Sequence, residues 1–388
     1  MNKTILVTGG AGYIGSFTVR ELIKNGYEVV VFDSLENGHK EAIDPRAKLV
    51  VGELANKKDI EQVFNEFKID AVIDFAAYLN VGESMENPEK YMKNNVENFV
   101  SLLEIMASRG CKYIIKSSTA ATYGDPLREE DFPLKERYHD SYKPTESAML
   151  PGKWKGVDVT GEVFFQKIIS YYSQIFTDRE DIALNQANLT KLRIPTSIYG
   201  LTKLLDEIIL EKYNQTSGMK SVALRYFNVC GGAIDGSMGD DKLIPTNLTT
   251  LTILNVLGKT GPLKVFGNDY PTKDGTGIRD YIHPLDLASG HLAALKYLIN
   301  GGSSEIFNLG NGTGYSVFDV IKATEHASGK KVSYEIVARR SGDVIISTAD
   351  QRKANTMLDW ESKYNLDDMA CSAWLWQSKH PNGYRSVG

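Results

Sequence analysis

Three glycines and an aspartate near the start of the chain could hold a phosphorylated ligand. Gly9, Gly12 and Gly15 follow one another at three-residue steps, between a short apolar run and a stretch with helical spacing that ends at Lys24. Glycines let the backbone approach a ligand closely, and the free N–H groups of a helix's first turn face an anion. A second apolar run ends in Asp33, whose carboxylate would accept the hydroxyls of an adenosine ribose and repel a 2′-phosphate. The pattern predicts a pyrophosphate cradle for NAD rather than NADP.

Tyr199 and Lys203 are a second pair with chemical potential. They are four residues apart in a stretch with helical spacing of leucine and isoleucine, so both side chains lie on one side of a helix, one turn apart. A phenol with a pKa of roughly 10 is a poor base at neutral pH. A lysine ammonium and a cationic nicotinamide ring beside it would favour the phenolate. The pair therefore predicts a general base for an alcohol or sugar hydroxyl.

The alternation of apolar runs predicts the elements that position these residues. Strand-like runs occupy residues 5–7, 28–32, 48–51, 71–75, 113–115 and 221–226, and helical spacing appears at 13–24, 59–67 and 91–106. Such alternation predicts an α/β fold in which a doubly wound, Rossmann-like parallel sheet carries helices on both faces. Ligands bind at the carboxyl ends of such strands. The polar clusters at the strand ends, among them Thr119 and Asn228, are therefore expected to line one crevice.

A change in composition and element pattern along the chain predicts two domains. Residues 1–228 read as the NAD-binding domain, and the glycine-rich, mixed segment 229–388 reads as a smaller α/β substrate domain, with an approximate boundary that the chain may cross back over. An unusual insertion spans about 136–194. Part of it is predicted to be a helix with one apolar face between Phe164 and Phe176 and with Thr160 as its N-cap. It could be an active-site cover, an oligomer contact or a surface insertion.

Composition excludes several classes of function. The chain of 388 residues has a formal net charge of −5, which provides no footprint for nucleic acid or an anionic membrane surface. No window has the roughly 20 apolar residues of a membrane span. Cys111, Cys230 and Cys371 are odd in number and widely spaced, and the histidines are scattered, so neither a disulfide framework nor a metal site is predicted. A soluble, cytoplasmic protein is expected.

Several longer motifs resemble the extended short-chain dehydrogenase/reductase family, and within it the UDP-sugar 4-epimerases. The matching stretches are Thr8–Gly15, Val81–Ser84, Asn94–Val96, Ser117–Gly124, Tyr199–Lys203, Leu224–Asn228, Phe266–Thr272, Asp274–His283, Phe307–Gly310, Arg339–Asp343 and His380–Tyr384. The resemblance spans nearly the whole chain apart from roughly 136–194.

The resemblance implies NAD-dependent epimerisation of a UDP-hexose at C4. Tyr199 would take the proton of the C4 hydroxyl while bound NAD takes the C4 hydride. The resulting 4-keto sugar would swing about its diphosphate and receive the hydride on its other face. No net oxidation occurs, so NAD would stay tightly bound. Thr119 takes the place of the serine that usually binds the C4 oxygen, and Lys203 completes the implied catalytic set.

The resemblance also implies the residues that contact the two ligands. For NAD they are Gly9, Gly12, Tyr13, Ile14, Gly15, Asp33, Leu35, Asn37, Glu53, Leu54, Phe75, Ala76, Ala77, Asn95, Tyr199, Lys203 and Tyr226. For the UDP-sugar they are Thr119, Tyr199, Asn228, Asn247, Leu248, Phe266, Arg279, Arg340, Asp343 and Ser347. Arg279 and Arg340 would clamp the diphosphate, Phe266 would lie near uracil, and Asp343 would bind the uridine ribose.

Four positions distinguish this chain within the family pattern. Asp74 stands where a histidine is usual, Leu79 where some members have a lysine near the NAD pyrophosphate, and Glu53 where an aspartate is usual near adenine. Four residues after Asp343, members have either tyrosine or a small residue, and the small version resembles enzymes that also accept 2-acetamido sugars. Ser347 therefore implies that UDP-N-acetylglucosamine and UDP-N-acetylgalactosamine are substrates, unless Thr119 or the insertion decides specificity.

Two other functions share much of this pattern. A UDP-sugar 4,6-dehydratase needs an acid and a base directly after the strand-end threonine, whereas Thr119 is followed by Ala120 and Ala121, which cannot transfer protons. A catalytically silent NAD- and UDP-sugar-binding relative would tend to lose Tyr199 or Lys203, and both are present. The family resemblance further implies a homodimer, formed through the helix that begins at Tyr199 and one spanning about 88–108.

Overall fold

The computed structural model describes residues 3–124, 132–136, 153–154, 157–158, 195–242, 245–340 and 343–384. Most of the predicted insertion, including its predicted helix between Thr160 and Phe176, lies outside these ranges.

The described strands are numbered in chain order. They are β1 Thr4–Thr8, β2 Glu28–Asp33, β3 Lys48–Val51, β4 Ala71–Asp74, β5 Tyr113–Thr119, β6 Lys153–Trp154, β7 Val157–Asp158, β8 Lys220–Tyr226, β9 Asn228–Val229, β10 Leu263–Phe266, β11 Ile278–Ile282, β12 Glu305–Leu309, β13 Gly314–Ser316, β14 Tyr334–Val337 and β15 Ile346–Ser347. Seven of them form one parallel sheet in the order β3-β2-β1-β4-β5-β8-β12.

The described α-helices are α1 Tyr13–Lys24, α2 Lys57–Glu66, α3 Val81–Glu86, α4 Pro88–Tyr91, α5 Asn98–Ser108, α6 Ile198–Ser217, α7 Leu248–Val256, α8 Pro284–Ile299, α9 Val317–Ser328, α10 Arg352–Leu358 and α11 Leu366–Lys379. Short 3₁₀ turns occupy Lys40–Ala42 and Ala120–Tyr123. A π-helical segment, Met92–Glu97, joins α4 to α5 where the sequence predicts one helix over 91–106. Within the described ranges, no helix is long and apolar enough to cross a membrane.

Apart from the edge strand β3, the strands of the large sheet are buried on both faces, which confirms the doubly wound α/β prediction. Leu6 of β1 belongs to the core on the face covered by α2, α5 and α6, whereas Ile5 and Val7 belong to the core on the face covered by α1 and α8. Successive strand residues point to opposite faces, so an uninterrupted apolar run supplies both cores. The carboxyl ends of these strands consequently meet at one edge, where the glycine turn and Thr119 lie.

A smaller mixed sheet begins directly at that edge. Strand β9 follows β8 after a single residue and pairs in parallel with β11, placing Asn228 opposite Tyr281. The other half of β11 pairs with the antiparallel β13 and the parallel β15. The chain then returns to the large sheet, because β12 pairs with β8 at its far edge. The division at residue 228 stays a prediction.

Candidate active site

The glycine turn between β1 and α1 packs closely against the backbone around it only because side chains are absent. Gly9 has a φ of +68°, and a Cβ there would lie 2.8 Å from the backbone nitrogen of Ala76. A Cβ on Gly15 would lie 2.3 Å from the carbonyl oxygen of Gly9. Gly12 is the N-cap of α1 and offers no side-chain oxygen to its first-turn N–H groups. Those donors, near the positive end of the helix, fit a pyrophosphate.

The residues just after Gly12 face other parts of the protein. The Tyr13 hydroxyl donates to the carbonyl oxygen of Gly231 at 2.5 Å, and Ile14 packs against the core below α1. A cofactor would therefore contact the backbone of these two residues.

Asp33 closes the cradle at the end of β2. Its carboxylate accepts hydrogen bonds from the backbone nitrogens of Ala11 and Leu35, both at 2.9 Å. Burial raises the pKa of Asp33, and these two bonds oppose the rise. A carboxylate has about four lone-pair sites, so acceptor capacity remains for ribose hydroxyls. Leu35 has a φ of +61°, a conformation that is strained for a leucine and that the Asp33 bond holds.

The remaining predicted NAD residues lie along the same strand ends. Asn37 and Glu53 are exposed, and Leu54 and Ala77 are half-buried. Phe75 packs against the His291 ring at 4.7 Å between centroids, and the Tyr226 hydroxyl is hydrogen-bonded to Nε2 of His291. The backbone of Ala76 lies against Gly9, since a Cβ on Gly9 would be 2.8 Å from the Ala76 nitrogen. The structure thus places Phe75 and Ala76 beside the glycine turn, and cofactor contacts of the other residues stay predictions.

Asn95 is a fully buried member of the predicted set. Its amide donates to the carbonyl oxygen of Tyr78 at 3.1 Å and to the Thr202 hydroxyl at 3.2 Å, and it accepts from the Tyr78 nitrogen at 2.9 Å. Asn95 is buried inside the π-helical segment. Asn95 therefore links the helix before α5 to α6, one turn from the catalytic tyrosine candidate.

The side chains of Tyr199 and Thr119 interact at the end of β5. Ser197 caps α6 by accepting from the Gly200 nitrogen, and this places Tyr199 in the helix's first turn beside the strand end. Burial raises the pKa of Tyr199 to about 12, and the hydrogen bond with the Thr119 side chain and the charge of Lys116 both oppose the rise. Thr119 also caps the following 3₁₀ turn by accepting from the Ala121 nitrogen at 3.2 Å.

Lys203 follows Tyr199 by one turn of α6 and is held by Ser117 at the end of β5. Its ammonium donates to the carbonyl oxygen and hydroxyl of Ser117, at 2.9 Å and 3.2 Å, and only 1% of the residue is exposed. Burial, and then the neighbouring charge of Lys116, lower the pKa of Lys203 to about 7. The charge of Lys116 lowers the pKa of Tyr199, and the prediction that Lys203 also favours the phenolate stays a prediction.

Sequence reasoning missed Lys116 because it lies inside an apolar strand run. Its side chain is fully buried between Asp74 of β4 and Asp206 of α6. A signal was available, since a lysine is almost never fully buried unless it is paired. Asp206 was a second signal of such a pair, because it is a carboxylate among the leucine and isoleucine residues of α6.

A second group of predicted residues gathers around β11. The Arg340 guanidinium lies 4.3 Å from the Phe266 ring centroid, and its Nε is 3.3 Å from Asp343. The Arg279 guanidinium lies 4.0 Å from the same carboxylate. Ser347 pairs with Arg279 in the β11–β15 register. Two arginines, an aromatic ring and a carboxylate in one place suit a nucleoside diphosphate.

Three further predicted substrate residues lie around this group. Asn228 is exposed in β9, next to β11. Asn247 is the N-cap of α7, and its amide donates to Asp240 at 3.0 Å. Leu248 packs against the apolar clusters that α7, α9 and α11 form. Contacts of Asn247 and Leu248 with a ligand stay predictions.

Comparisons with known proteins place the chain among sugar-nucleotide enzymes. A family model described as the NAD dependent epimerase/dehydratase family matches residues 5–147, and one described as GDP-mannose 4,6 dehydratase matches residues 173–372. The chain is 40% identical to the UDP-glucose 4-epimerase of Bacillus subtilis, with 99% of each chain covered.

Solved structures agree with this relationship. The UDP-glucose 4-epimerase of Bifidobacterium longum, in complex with NAD⁺ and UDP, is 35% identical with a TM-score of 0.79, covering 98% of this chain and 100% of that one. The UDP-Glc/GlcNAc 4-epimerase of Campylobacter jejuni is 33% identical with a TM-score of 0.72, covering 97% and 100%.

Proposed function

The chain belongs to the NAD-dependent epimerase/dehydratase family, among the UDP-glucose 4-epimerases, and we propose that it interconverts UDP-glucose and UDP-galactose with tightly bound NAD. The observation that carries this function is the interaction of the Tyr199 phenol with the Thr119 side chain at the carboxyl end of β5. The residues that would hold NAD are those of the glycine turn together with Asp33. When bound, NAD accepts the hydride from C4 of the sugar and returns it to the opposite face.

The protein's own part of the reaction is proton transfer at the C4 oxygen. Tyr199, as the phenolate, takes the proton of the C4 hydroxyl, and the Thr119 hydroxyl binds the same oxygen. C4 of the sugar becomes a ketone carbon, so the C4 oxygen has no proton while the sugar turns. Tyr199 then returns the proton to the C4 oxygen, and the protein ends in its starting state. Because burial raises the pKa of Tyr199 to about 12, the phenolate requires the positive charge that Lys203, Lys116 and the nicotinamide ring together provide.

The β11 group supports the turning step. Arg279 and Arg340 would hold the diphosphate in bidentate contacts, with uracil against Phe266 and the uridine ribose on Asp343. Both arginines already contact Asp343, at 4.0 Å and 3.3 Å. A nucleotide fixed at this end leaves the hexose free to present either face to Tyr199.

The dehydratase alternative is not favoured. Ala120 and Ala121 form the 3₁₀ turn after Thr119, where neither side chain can give or take a proton. The match to the dehydratase model covers residues 173–372, which do not include this turn. A catalytically silent protein is likewise not favoured, because Tyr199 and Lys203 are both present.

We propose further that the enzyme accepts UDP-N-acetylglucosamine and UDP-N-acetylgalactosamine. Ser347 lies beside Arg279 in the β11–β15 pair, and its small side chain leaves room for a 2-acetamido group. Ser347→Tyr is expected to abolish turnover of the N-acetyl sugars while UDP-glucose turnover continues, with Ser347→Ala as the matched control. Unchanged N-acetyl turnover in the tyrosine variant would refute the proposal.

Tyr199→Phe tests the catalytic proposal. We expect kcat for UDP-galactose to fall at least about 100-fold, because a phenyl ring transfers no proton. Tyr213→Phe, which removes a buried hydroxyl from the same helix, is the matched control and is expected to keep near-normal kcat. Retention of activity in Tyr199→Phe would remove the tyrosine from the mechanism.

Two finer proposals concern the state of the enzyme in the cell. We propose a homodimer in which α5 and α6 meet their copies, supported by the half-buried apolar side chains of Val100 and Ile208. Light scattering is expected to give twice the chain mass, and Val100→Asp is expected to give the monomer. We also propose a cytoplasmic location, supported by the three free cysteines. Cell fractionation tests it.

A further inference from the structure

A fully buried cluster of charges lies behind the catalytic candidates. The Lys116 ammonium is 2.5 Å from the Asp74 carboxylate and 3.0 Å from that of Asp206, and all three side chains have no solvent exposure. We call these residues the buried triad. The Lys116 ammonium also lies 3.7 Å from the Phe99 ring centroid. Burying charges is costly, and replacing such groups with apolar residues is often neutral or stabilising. Stability alone therefore does not account for the triad.

The triad connects the glycine turn to the catalytic helix. Thr8, Asp74 and Lys116 are neighbours in register across β1, β4 and β5. The Thr8 hydroxyl donates to Asp74, whose carboxylate also accepts from the Ala76 nitrogen at 3.3 Å. Asp206 lies on α6, one turn after Lys203. A continuous polar path therefore runs from the residue before Gly9 to the helix that holds Tyr199 and Lys203.

The charges of the triad do not balance among themselves. It contains two carboxylates and one ammonium, so it has an excess negative charge when all three groups are ionised. Lys203 is also buried and interacts electrostatically with all three groups, and its ammonium would complete a neutral set of four. Burial alone would lower the pKa of Lys116, but Asp206 and Asp74 outweigh it and raise that pKa. Lys116 therefore stays charged.

The triad acts on Lys203 with opposite signs. Lys116 opposes its ammonium, while Asp206 and Asp74 favour it. Other titratable groups face Lys203 and Tyr199 from the neighbouring elements, namely Glu207 of α6, Tyr226 of β8 and Tyr91 of α4. Glu207 is itself paired with Arg225 of β8 at 2.6 Å. The triad therefore contains both a cation and two anions that act on Lys203, and substitutions can remove the cation or an anion separately.

We propose that Asp74, Lys116 and Asp206 are positioning residues that set the protonation state of Lys203, and through it the readiness of Tyr199 to act as a base. This inference rests on the proposed epimerase function for its consequence, but its effect on Lys203 is measurable without turnover. A neutral Lys203 would leave Tyr199 with less positive charge nearby. The net negative charge of the triad favours the protonated form of the buried amine.

The test measures the titration of Lys203 in the purified protein by NMR of ¹³Cε-labelled lysine. The resonance is assigned by its loss in Lys203→Arg, and Lys203 is separated from exposed lysines because its pKa is lowered to about 7. Asp206→Asn removes a negative charge and is expected to lower the titration midpoint by about one pH unit. Lys116→Met removes a positive charge and is expected to raise it by a similar amount. The double variant restores the charge of the wild-type triad and is expected to titrate close to it.

Lys57→Met is the matched control. It removes an exposed lysine paired with Glu104 at 2.7 Å, and no change at Lys203 is expected. If Lys116→Met fails to fold, the comparison of Asp206→Asn with the double variant carries the test, because the second substitution must move the midpoint back upward. Midpoints that move in the same direction, or do not move, would overturn the proposal.

Turnover provides the second measurement. The alkaline limb of the kcat profile is expected at lower pH in Asp206→Asn and at higher pH in Lys116→Met. A merely structural role would lower kcat in both variants without moving the limbs apart. If the NMR midpoints move as expected but no variant, including wild type, converts UDP-glucose, then the proposed function fails and the role of the triad stands.

Discussion

The Thr119 hydroxyl offers the sharpest test of how the tyrosine is activated. Its oxygen accepts from the Ala121 nitrogen at 3.2 Å, and its side chain is hydrogen-bonded to Tyr199, which lowers the pKa of the phenol. Thr119→Val keeps the shape of the side chain and removes the hydroxyl. It therefore deletes both interactions with little change in packing.

The two deletions have different expected magnitudes. A hydrogen bond to a charged group contributes about 1.5–3 kcal/mol, so loss of this bond to the phenolate is expected to lower kcat roughly 10- to 100-fold. Loss of the cap on the 3₁₀ turn is expected to lower the free energy of unfolding by about 1 kcal/mol. Because the hydrogen bond lowers the pKa of Tyr199, its removal is also expected to shift the acidic limb of kcat to higher pH.

The assay is steady-state conversion of UDP-galactose across pH, together with urea unfolding of the same preparations. Thr119→Ser is the matched control, since it keeps the hydroxyl and removes only the methyl group. We expect the serine variant to keep kcat within a few-fold of wild type and to leave the acidic limb in place. If Thr119→Val and Thr119→Ser have equal kcat, Thr119 does not assist Tyr199 and the proposed pair is wrong.

Three further predictions follow from single contacts. Gly15→Ala is expected to abolish co-purification of NAD, because its Cβ would lie 2.3 Å from a carbonyl oxygen. The control is Gly261→Ala, whose Cβ would meet nothing within 4 Å. The absorbance of NAD in the extract of the denatured protein is the measurement. Arg279→Lys is expected to weaken UDP binding about tenfold by calorimetry, whereas Arg339→Lys is expected to leave it unchanged. Burial lowers the pKa of His291 to about 4, so its neutral ring stabilises the fold above the ordinary value of about 6.5. That contribution of about 3 kcal/mol is lost as the pH falls from 6.5 towards 4, and His291→Gln is expected to flatten this part of the unfolding curve.

Six of the seven strands of the large sheet could be predicted from the sequence because each contains an apolar run, whereas the edge strand β12 lies outside the predicted runs. The end of β5 could not be predicted in this way. The prediction stops at Ile115 because the next residue, Lys116, is charged, whereas the strand continues to Thr119. Lys116 fits inside the protein because it is paired with Asp74 and Asp206. A polar residue within a buried strand breaks the apolar pattern even when the backbone continues.

The single predicted helix over 91–106 illustrates a second limit. Its apolar spacing indicates a helix throughout, but the π-helical segment Met92–Glu97 rotates the residues that follow. Asn95, inside this segment, donates hydrogen bonds to Tyr78 and Thr202. These contacts join distant parts of the chain, and the spacing of apolar residues does not contain that information.

The spacing of Tyr199 and Lys203 predicted a shared side of α6, and both do face the end of β5. The partner of each could not be predicted, because partners come from distant parts of the chain. Lys203 reaches Ser117, while Tyr199 meets Thr119 and the charge of Lys116. Pairing across three separate elements depends on the sheet order, which the sequence indicates only through the alternation of its runs.

The measurement that tests the proposed function most directly is a product assay with no added NAD. The purified protein is incubated with UDP-glucose, and the two C4 epimers are resolved by proton NMR. The account predicts that UDP-galactose appears and reaches a constant ratio with UDP-glucose, without net formation of NADH. Absence of UDP-galactose, even after NAD is supplied, would contradict it.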